Sequence, residues 1–261
     1  MHAMHDLYQE ENTHGIIQVD ANNAFNIINR KVFLHNIEII CPMISTFISN
    51  CYIKPARLFL VGGVEIPSDE GTTQGDPTAM PTYALGIRPL LLCLAQPNNN
   101  REIDGMRDIA RQAAYADDLA GGGTIDQLKI WWDIVVKYGP YLGYHAKPSK
   151  SWLIVKVEYL EYAKQVFDGT GLQITTEGKR HLGAVVGTED FKNEYVAGKI
   201  EDWIEELAAL EKIAQVDPHI AYCAYVQAIQ HRYTYVLRTI PNIKDHLLTV
   251  SYTHLTLPTK A

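Results

Sequence analysis

Apolar and polar positions along the 261-residue chain follow two rhythms, one helical and one alternating, and the switches between them mark out elements. Residues 16–20 form a short apolar run ending in the carboxylate of Asp20, the composition of a buried strand. Residues 29–50 carry apolar side chains at helical spacing, with Pro42 and Pro55 as stops, which predicts one or two helices. The runs 57–61 and 64–66, separated by Gly62-Gly63, predict a hairpin with a two-glycine turn. Residues 71–77 read as a loop, and Pro77 is placed to open a helix reaching about Leu94. Residues 96–104 are polar and loop-like. The runs 111–116 and 119–120 flank Asp117-Asp118, which predicts strand, tight turn, strand. Helices are expected over 124–138, 158–167, 192–213 and 218–239, the last opened by Asp217-Pro218. Short strands are expected at 151–157, 172–174 and 181–186. Strands mixed with helices and hairpin-like turns predict an α+β fold with an antiparallel sheet, not a doubly wound parallel one.

Composition narrows the function classes. Hydrophobic residues make up 47% and charged residues 20%, which excludes a disordered tail. The longest apolar runs, 37–40 and 90–95, fall far short of the roughly 20 residues that span a bilayer. Met1 is not followed by a basic and then an apolar segment, so no secretory signal is expected and an intracellular location is. The four cysteines (Cys41, Cys51, Cys93, Cys223) include no CxxC pair, which predicts reduced core thiols rather than a zinc or redox motif. A net charge of −7, from 23 Lys plus Arg against 30 Asp plus Glu, weighs mildly against nucleic-acid binding. A carboxylate site that holds divalent ions, however, has part of its charge cancelled. Residues 250–261 stand apart, rich in Thr and Leu and without an acid. They back-translate readily to the transposase end and adapter of sequencing libraries. The stretch is therefore expected not to be native, and the chain to be a fragment.

Three features could carry chemistry. In Tyr115-Ala116-Asp117-Asp118, two adjacent carboxylates lie between apolar strands. Two unit charges ~4 Å apart repel by about 4 kcal/mol at an effective dielectric near 20, and a metal ion would reverse that sign. The ordinary explanation is a solvated Asp-Asp turn. Upstream, Asp20 ends an apolar strand with Phe25 five residues later; the ordinary explanation is a helix cap. Between them, Gln74-Gly75-Asp76-Pro77 opens a helix, where Gly75 permits close backbone approach and a helix N-terminus favours phosphate. Alone it is a loop-to-helix junction. Gly121-Gly122-Gly123 lacks the Gly-Lys-Ser/Thr of a P-loop and is expected to bend its strand. Tyr222, Tyr225, Tyr233 and Tyr235, at near-helical spacing, are expected in a core rather than on a base-stacking platform. His2 and His5 lie in an end expected to fray.

Taken in order, Asp-x4-Phe, Gln-Gly-Asp-Pro and Tyr-Ala-Asp-Asp resemble the palm motifs of reverse transcriptases. Residues 143–150 (Gly-Tyr-His-Ala-Lys-Pro-Ser-Lys), followed by Ser151-Trp152, resemble the family's next palm motif, with its lysine at Lys150. His181-Leu182-Gly183 resembles the primer-grip hairpin. The context from Val19 to Arg30 is similar to that of mobile-element reverse transcriptases of the non-LTR retrotransposon and group II intron kind. The resemblance covers residues 14–248.

The resemblance implies RNA-directed DNA synthesis in a right-hand polymerase fold. Residues 1–190 would be the palm with partial fingers elements, an antiparallel sheet packed on helices, and 191–249 a truncated helical thumb. It implies that Asp20, Asp117 and Asp118 hold two magnesium ions, or manganese in their place, with Asp20 and Asp117 bridging. Phe25 would be the gate beneath the incoming sugar, and Gln74 and Gly75 would line the nucleotide and template pocket. Lys150 would stand near the departing pyrophosphate as charge neutraliser or proton donor, and Tyr115 would support the turn near the primer end. The implied partners are an RNA template, a DNA primer and deoxynucleoside triphosphates. Three departures stand out. Only 19 residues precede Asp20, where the family places its basic fingers blocks. Thr78 replaces a larger apolar residue, and Lys147 replaces an Asn. Weak or absent polymerisation by this piece is therefore expected. The alternative is an inactive palm remnant that at most binds nucleic acid. RNA-dependent RNA polymerases share the palm but tend to carry Asp where Phe25 stands and Gly-Asp-Asp where Ala116-Asp117-Asp118 stands.

Overall fold

The computed structural model describes residues 2–73, 75–96, 102–103, 106–107 and 109–243. Gln74 and the adapter-like stretch 250–261 lie outside the described residues. In chain order the elements are α1 (His2–Gln9), β1 (Gly15–Val19), α2 (Ala24–Ile27), α3 (Arg30–Ile40), α4 (Pro42–Tyr52), β2 (Ala56–Phe59), β3 (Glu65–Ser68), α5 (Ala79–Leu94), β4 (Glu102–Ile103), β5 (Met106–Arg107), β6 (Arg111–Tyr115) and β7 (Asp118–Gly123). There follow α6 (Ile125–Leu142), β8 (Trp152–Val155), α7 (Leu160–Val166), β9 (Gln173–Thr175), β10 (Gly178–His181), β11 (Ala184–Gly187), α8 (Glu189–Ala214), α9 (Pro218–Ala224) and α10 (Gln230–Thr239). The fold is α+β, as the mixed pattern predicts. Among the described residues no helix is long and apolar enough to cross a membrane.

The chain divides into two compact units. One runs from Glu11 to Ile174 and holds a five-stranded sheet in the order β6-β7-β1-β8-β9. The central strand β1 pairs antiparallel with β7 and with β8. One face of this sheet (Ile17, Val19, Leu119, Leu153, Val155) joins a single apolar core with Phe33 and Ile37 of α3, Tyr83, Ile87 and Leu90 of α5, and Leu128, Trp131 and Val135 of α6. Fully burying each large aliphatic side chain contributes about 1.5–3 kcal/mol, so this face decides the register of the sheet. Helix ends follow local chemistry. Thr124 and Gln127 form a reciprocal capping box on α6, and Asn29 accepts a hydrogen bond from the Val32 amide at the start of α3.

The other unit joins the first ten residues to the chain from Thr175 onward. The expected frayed start is instead the helix α1, with Met4, His5, Leu7 and Tyr8 buried and its packing partner β11. An apolar stripe (Met4, Leu7, Tyr8) can bury only when a partner is present, and the partner lies far along the chain. The expected strand at 181–186 is two strands, β10 and β11, turning at Leu182-Gly183. The expected helix at 218–239 is interrupted by a wide turn at Tyr225–Ile229 between α9 and α10.

Several local expectations are corrected. The hairpin of β2 and β3 turns through Val61, Gly62 and Gly63, with Leu60 hydrogen-bonded to Val64, so its loop holds three residues rather than two. The 151–157 strand stops at Val155, and Glu102–Ile103 and Met106–Arg107 form a small hairpin in the stretch expected as loop. Gly121-Gly122-Gly123 does not bend β7, which keeps unbroken register with β1 and β6 through Gly122. A Cβ on Gly121 would stand 3.2 Å from the Trp131 ring, and one on Gly123 would stand 2.3 Å from Gln127 Oε1. These glycines are needed for the close seat of α6. Tyr233 packs on a core with Trp203, as expected, but Tyr222 and Tyr235 are exposed and Tyr225 half-buried; the helices carrying them bury Ala221, Ile229 and Val236. The cysteines are free, as expected, but none is fully buried.

Candidate active site

Register brings the carboxylates together. Val19 of β1 pairs with Leu119 of β7, so one further step along the same ladder sets Asp20 beside Asp118. Across β7, Asp118 pairs with Tyr115 of β6. Tyr115, Asp118 and Asp20 thus form one row across three strands, on the sheet face opposite Leu119 and Ile17. Cross-strand neighbours in such a row have Cβ atoms about 4.5–5.5 Å apart. Asp117 sits in the two-residue turn between β6 and β7. Its turn partner Ala116 has a φ of 55°, the left-handed conformation that such hairpin turns demand and that a residue with a Cβ adopts only under strain. The expected turn at Asp117-Asp118 is therefore one residue earlier, because Asp118 already belongs to β7.

All three carboxylates are half-buried. Burial first, then the charge of Asp117, then that of Asp20, raises the pKa of Asp118. Half-burial of all three sets them apart from a freely solvated Asp-Asp turn. Nor is Asp20 a helix cap: α2 begins at Ala24, and the cap position is Asn23. The three groups supply only hard carboxylate oxygens, the donors magnesium takes, and their mutual repulsion is the kind a divalent ion relieves. Among the described residues no three His, Cys, Asp or Glu side chains are already drawn into an ion-binding cage. Asp20, Asp117 and Asp118 share one end of the sheet, and together they fit a divalent ion by charge and donor type.

The segment after α6 closes on this end. The Lys147 amide donates to the Asp20 carbonyl at 2.8 Å, and the fully buried Ser151 hydroxyl accepts the Asp20 amide at 3.2 Å while donating to the Lys147 carbonyl at 2.9 Å. Lys150 lies within this loop, in a single helical turn over Pro148–Lys150; it is exposed and has no ion-pair partner among the described residues. Tyr144, wholly buried, donates its hydroxyl to the Asp117 carbonyl at 3.0 Å and so fixes the turn from below.

Phe25 comes from the short helix α2 and Gly75 from the loop before α5. The Thr72 amide donates to the Phe25 carbonyl at 2.7 Å, which ties that loop to α2. Arg30, itself buried, donates to the carbonyls of Ser68 (2.8 Å), Glu70 (2.8 Å) and Gly71 (3.0 Å) and so holds that loop down. Gly75 has a φ of +88°, and nothing lies within 4 Å of where a Cβ would stand, so its backbone faces open space. The helix expected to open at Pro77 opens at Ala79, because Asp76 turns its carboxylate onto the Thr78 amide and hydroxyl, each at 2.8 Å. Tyr52 also donates to Asp76, and that bond, with those from Thr78, lowers the Asp76 pKa. Phe25 is half-buried and stacked on Tyr83 of α5, ring centroids 4.5 Å apart.

Sequence reasoning missed Tyr83, Tyr144, Ser151 and Arg30. The available signal was polarity at apolar positions: Tyr83 falls in the buried stripe Ala79, Tyr83, Ile87, Leu90 and Leu94 of α5. A scan against protein-family models and a search among curated proteins both return no match.

Proposed function

We propose that this chain carries the palm of an RNA-directed DNA polymerase from a mobile genetic element, extending a primer 3′-hydroxyl with deoxynucleotides on an RNA template. The observation that carries the proposal is the meeting of Asp20, Asp117 and Asp118 at one sheet end, in the motif order that resembles reverse transcriptases. In this reading α8, α9 and α10 belong to the thumb. Asp20, Asp117 and Asp118 would hold two divalent ions, magnesium or manganese. When bound, such ions supply positive charge to the attacking and leaving oxygens of a phosphoryl transfer. The remaining tasks fall to the chain itself. Phe25, braced from behind by Tyr83, presents a ring edge where the sugar 2′ position would lie. The open, left-handed backbone at Gly75 lets a nucleotide approach. The exposed ring of Tyr115, beside Asp118 in the row, would contact the primer end. Lys150 is free to neutralise or protonate pyrophosphate as the bond from the α-phosphorus to its bridging oxygen breaks and the primer 3′-oxygen bonds in its place. Catalysis of this kind is mostly alignment and charge stabilisation.

Asp117→Asn in the full chain tests the proposal, with extension measured on poly(A)–oligo(dT). The variant removes a charge and no packing group. It is expected to keep its circular dichroism spectrum while extension falls about a hundredfold or more. Extension at the wild-type rate would overturn the assignment. A wild-type chain that binds template–primer yet never extends it would mark the alternative, an inactive palm remnant.

A further inference from the structure

The side chain of Tyr83 is at odds with its surroundings. It is 1% exposed within the apolar stripe of α5, and its hydroxyl has no hydrogen-bond partner among the described residues. Native interiors leave few such groups unpaired, because a buried donor without an acceptor has lost its water for nothing. One ring face is occupied by Phe25, stacked at 4.5 Å with 27° between planes. The hydroxyl end lies within electrostatic reach of both Asp117 and Asp118, whose charges add to burial in raising its pKa. Tyr144 lies close enough to Tyr83 to feel its charge, and its own hydroxyl already serves the Asp117 carbonyl. Two buried phenols therefore stand beneath the Ala116-Asp117 turn, one satisfied and one not.

We propose that Tyr83 is a positioning residue whose hydroxyl would donate to a carboxylate oxygen of Asp117 when a divalent ion is held at the site, while its ring braces Phe25. The proposal rests on the polymerase reading of the site. A phenol suits this place. It donates a hydrogen bond without adding positive charge, so the carboxylates keep their full attraction for cations. The hydroxyl is unpaired among the described residues and would gain its acceptor when an ion is bound. A cost present in one state and relieved in the other shifts the equilibrium toward the second, so the hydroxyl favours ion binding. The same side chain links the ion site to the sugar gate through one rigid ring.

The test compares the full chain with Tyr83→Phe, Tyr83→Leu and Asp117→Asn. Tyr83→Phe keeps the stack and loses only the hydroxyl. In chelator its melting temperature is expected to equal or exceed that of the wild type, since no bond is lost. The dissociation constant for Mn2+, titrated calorimetrically, is expected to rise about tenfold. In single-nucleotide incorporation, kcat for dTTP is expected to fall with KM unchanged. Tyr83→Leu, which also removes the brace, is expected to lose discrimination between dTTP and UTP as well. Wild-type Mn2+ affinity in Tyr83→Phe, or a lower melting temperature in chelator, would overturn the proposal. Asp117→Asn separates the two levels. If it loses Mn2+ binding and extension while Tyr83→Phe matches the wild type, only the role of Tyr83 fails. If it too matches the wild type, the polymerase reading fails.

Discussion

Asp118 shows how a single residue is set by its neighbours. Its carboxyl group is partly withdrawn from water and faces two other carboxylates, and all three influences favour the protonated form. The folded, ion-free protein therefore holds this proton more tightly than the unfolded chain does. Stability then falls as pH rises through and above the ordinary carboxylate range, because the folded state must surrender a proton the unfolded state has already lost. Asp118→Asn is thus expected to melt above the wild type at pH 7 in chelator. The gain should be below about 1 kcal/mol, since the group is only half-buried and water screens it. The difference should shrink as pH is lowered into the carboxylate range, and added magnesium should stabilise the wild type alone. Thermal melts at several pH values, with and without magnesium, check each part; a variant less stable than the wild type at neutral pH in chelator would contradict it. The strained Ala116 belongs to the same picture, a local cost held in place by the pairing of Tyr115 with Asp118 on one side and by Tyr144 below.

Among the elements, the start of α3 has the largest burden. Arg30 uses one guanidinium to satisfy three carbonyls of one loop, at Ser68, Glu70 and Gly71, while the Glu70 carboxylate accepts the Arg30 amide at 3.0 Å. The guanidinium also lies over the Tyr52 ring, 5.5 Å from its centre. Through Thr72 this loop carries Phe25, and through Tyr52 it carries Asp76. Arg30→Met would leave the buried Gly71 carbonyl unpaired, at about 1–3 kcal/mol, and hand the more open Ser68 and Glu70 carbonyls to water. A loss of about 1–3 kcal/mol in urea unfolding, with the slope unchanged, is expected. Arg30→Lys is expected to recover little, because an ammonium group cannot reproduce the planar fork. A loss under about 1 kcal/mol would show that the loop holds itself. The helix expected to open at Pro77 starts later, at Ala79, for a local reason: Asp76 binds its own near neighbours, and a side-chain bond of that kind competes with helix initiation.

For the molecule as a whole, a net charge of −7 sets the terms on which a polyanion could bind. On the polymerase reading, contacts with template and primer run to backbone phosphates through a limited number of Lys and Arg side chains. Each neutralised phosphate steepens the salt dependence by about 0.9 in a double-logarithmic plot. A slope of about −3 or steeper is expected for an RNA–DNA duplex in filter binding or anisotropy, with little preference for sequence. A flat salt response, or tight preference for one short sequence, would count against nucleic acid as the partner. What the sequence determined by itself was local. The apolar run before Asp20, the break at Pro42, and the ordered spacing of Asp20, Gly75 and Asp117-Asp118 could be read because periodicity and turn chemistry act over a few residues, though α6 runs on to Leu142, past the expected end at 138. What only the tertiary structure decided was which of these meet. The row Tyr115–Asp118–Asp20 depends on a register set by burying Ile17, Val19 and Leu119 together. The glycines of β7 answer to Trp131 on a later helix, α1 finds its partner at β11, and the Tyr83 hydroxyl is left without an acceptor among the described residues. Periodicity shows which face of an element is apolar, but the partner of that face lies far along the chain, so pairing is settled only when the whole core closes.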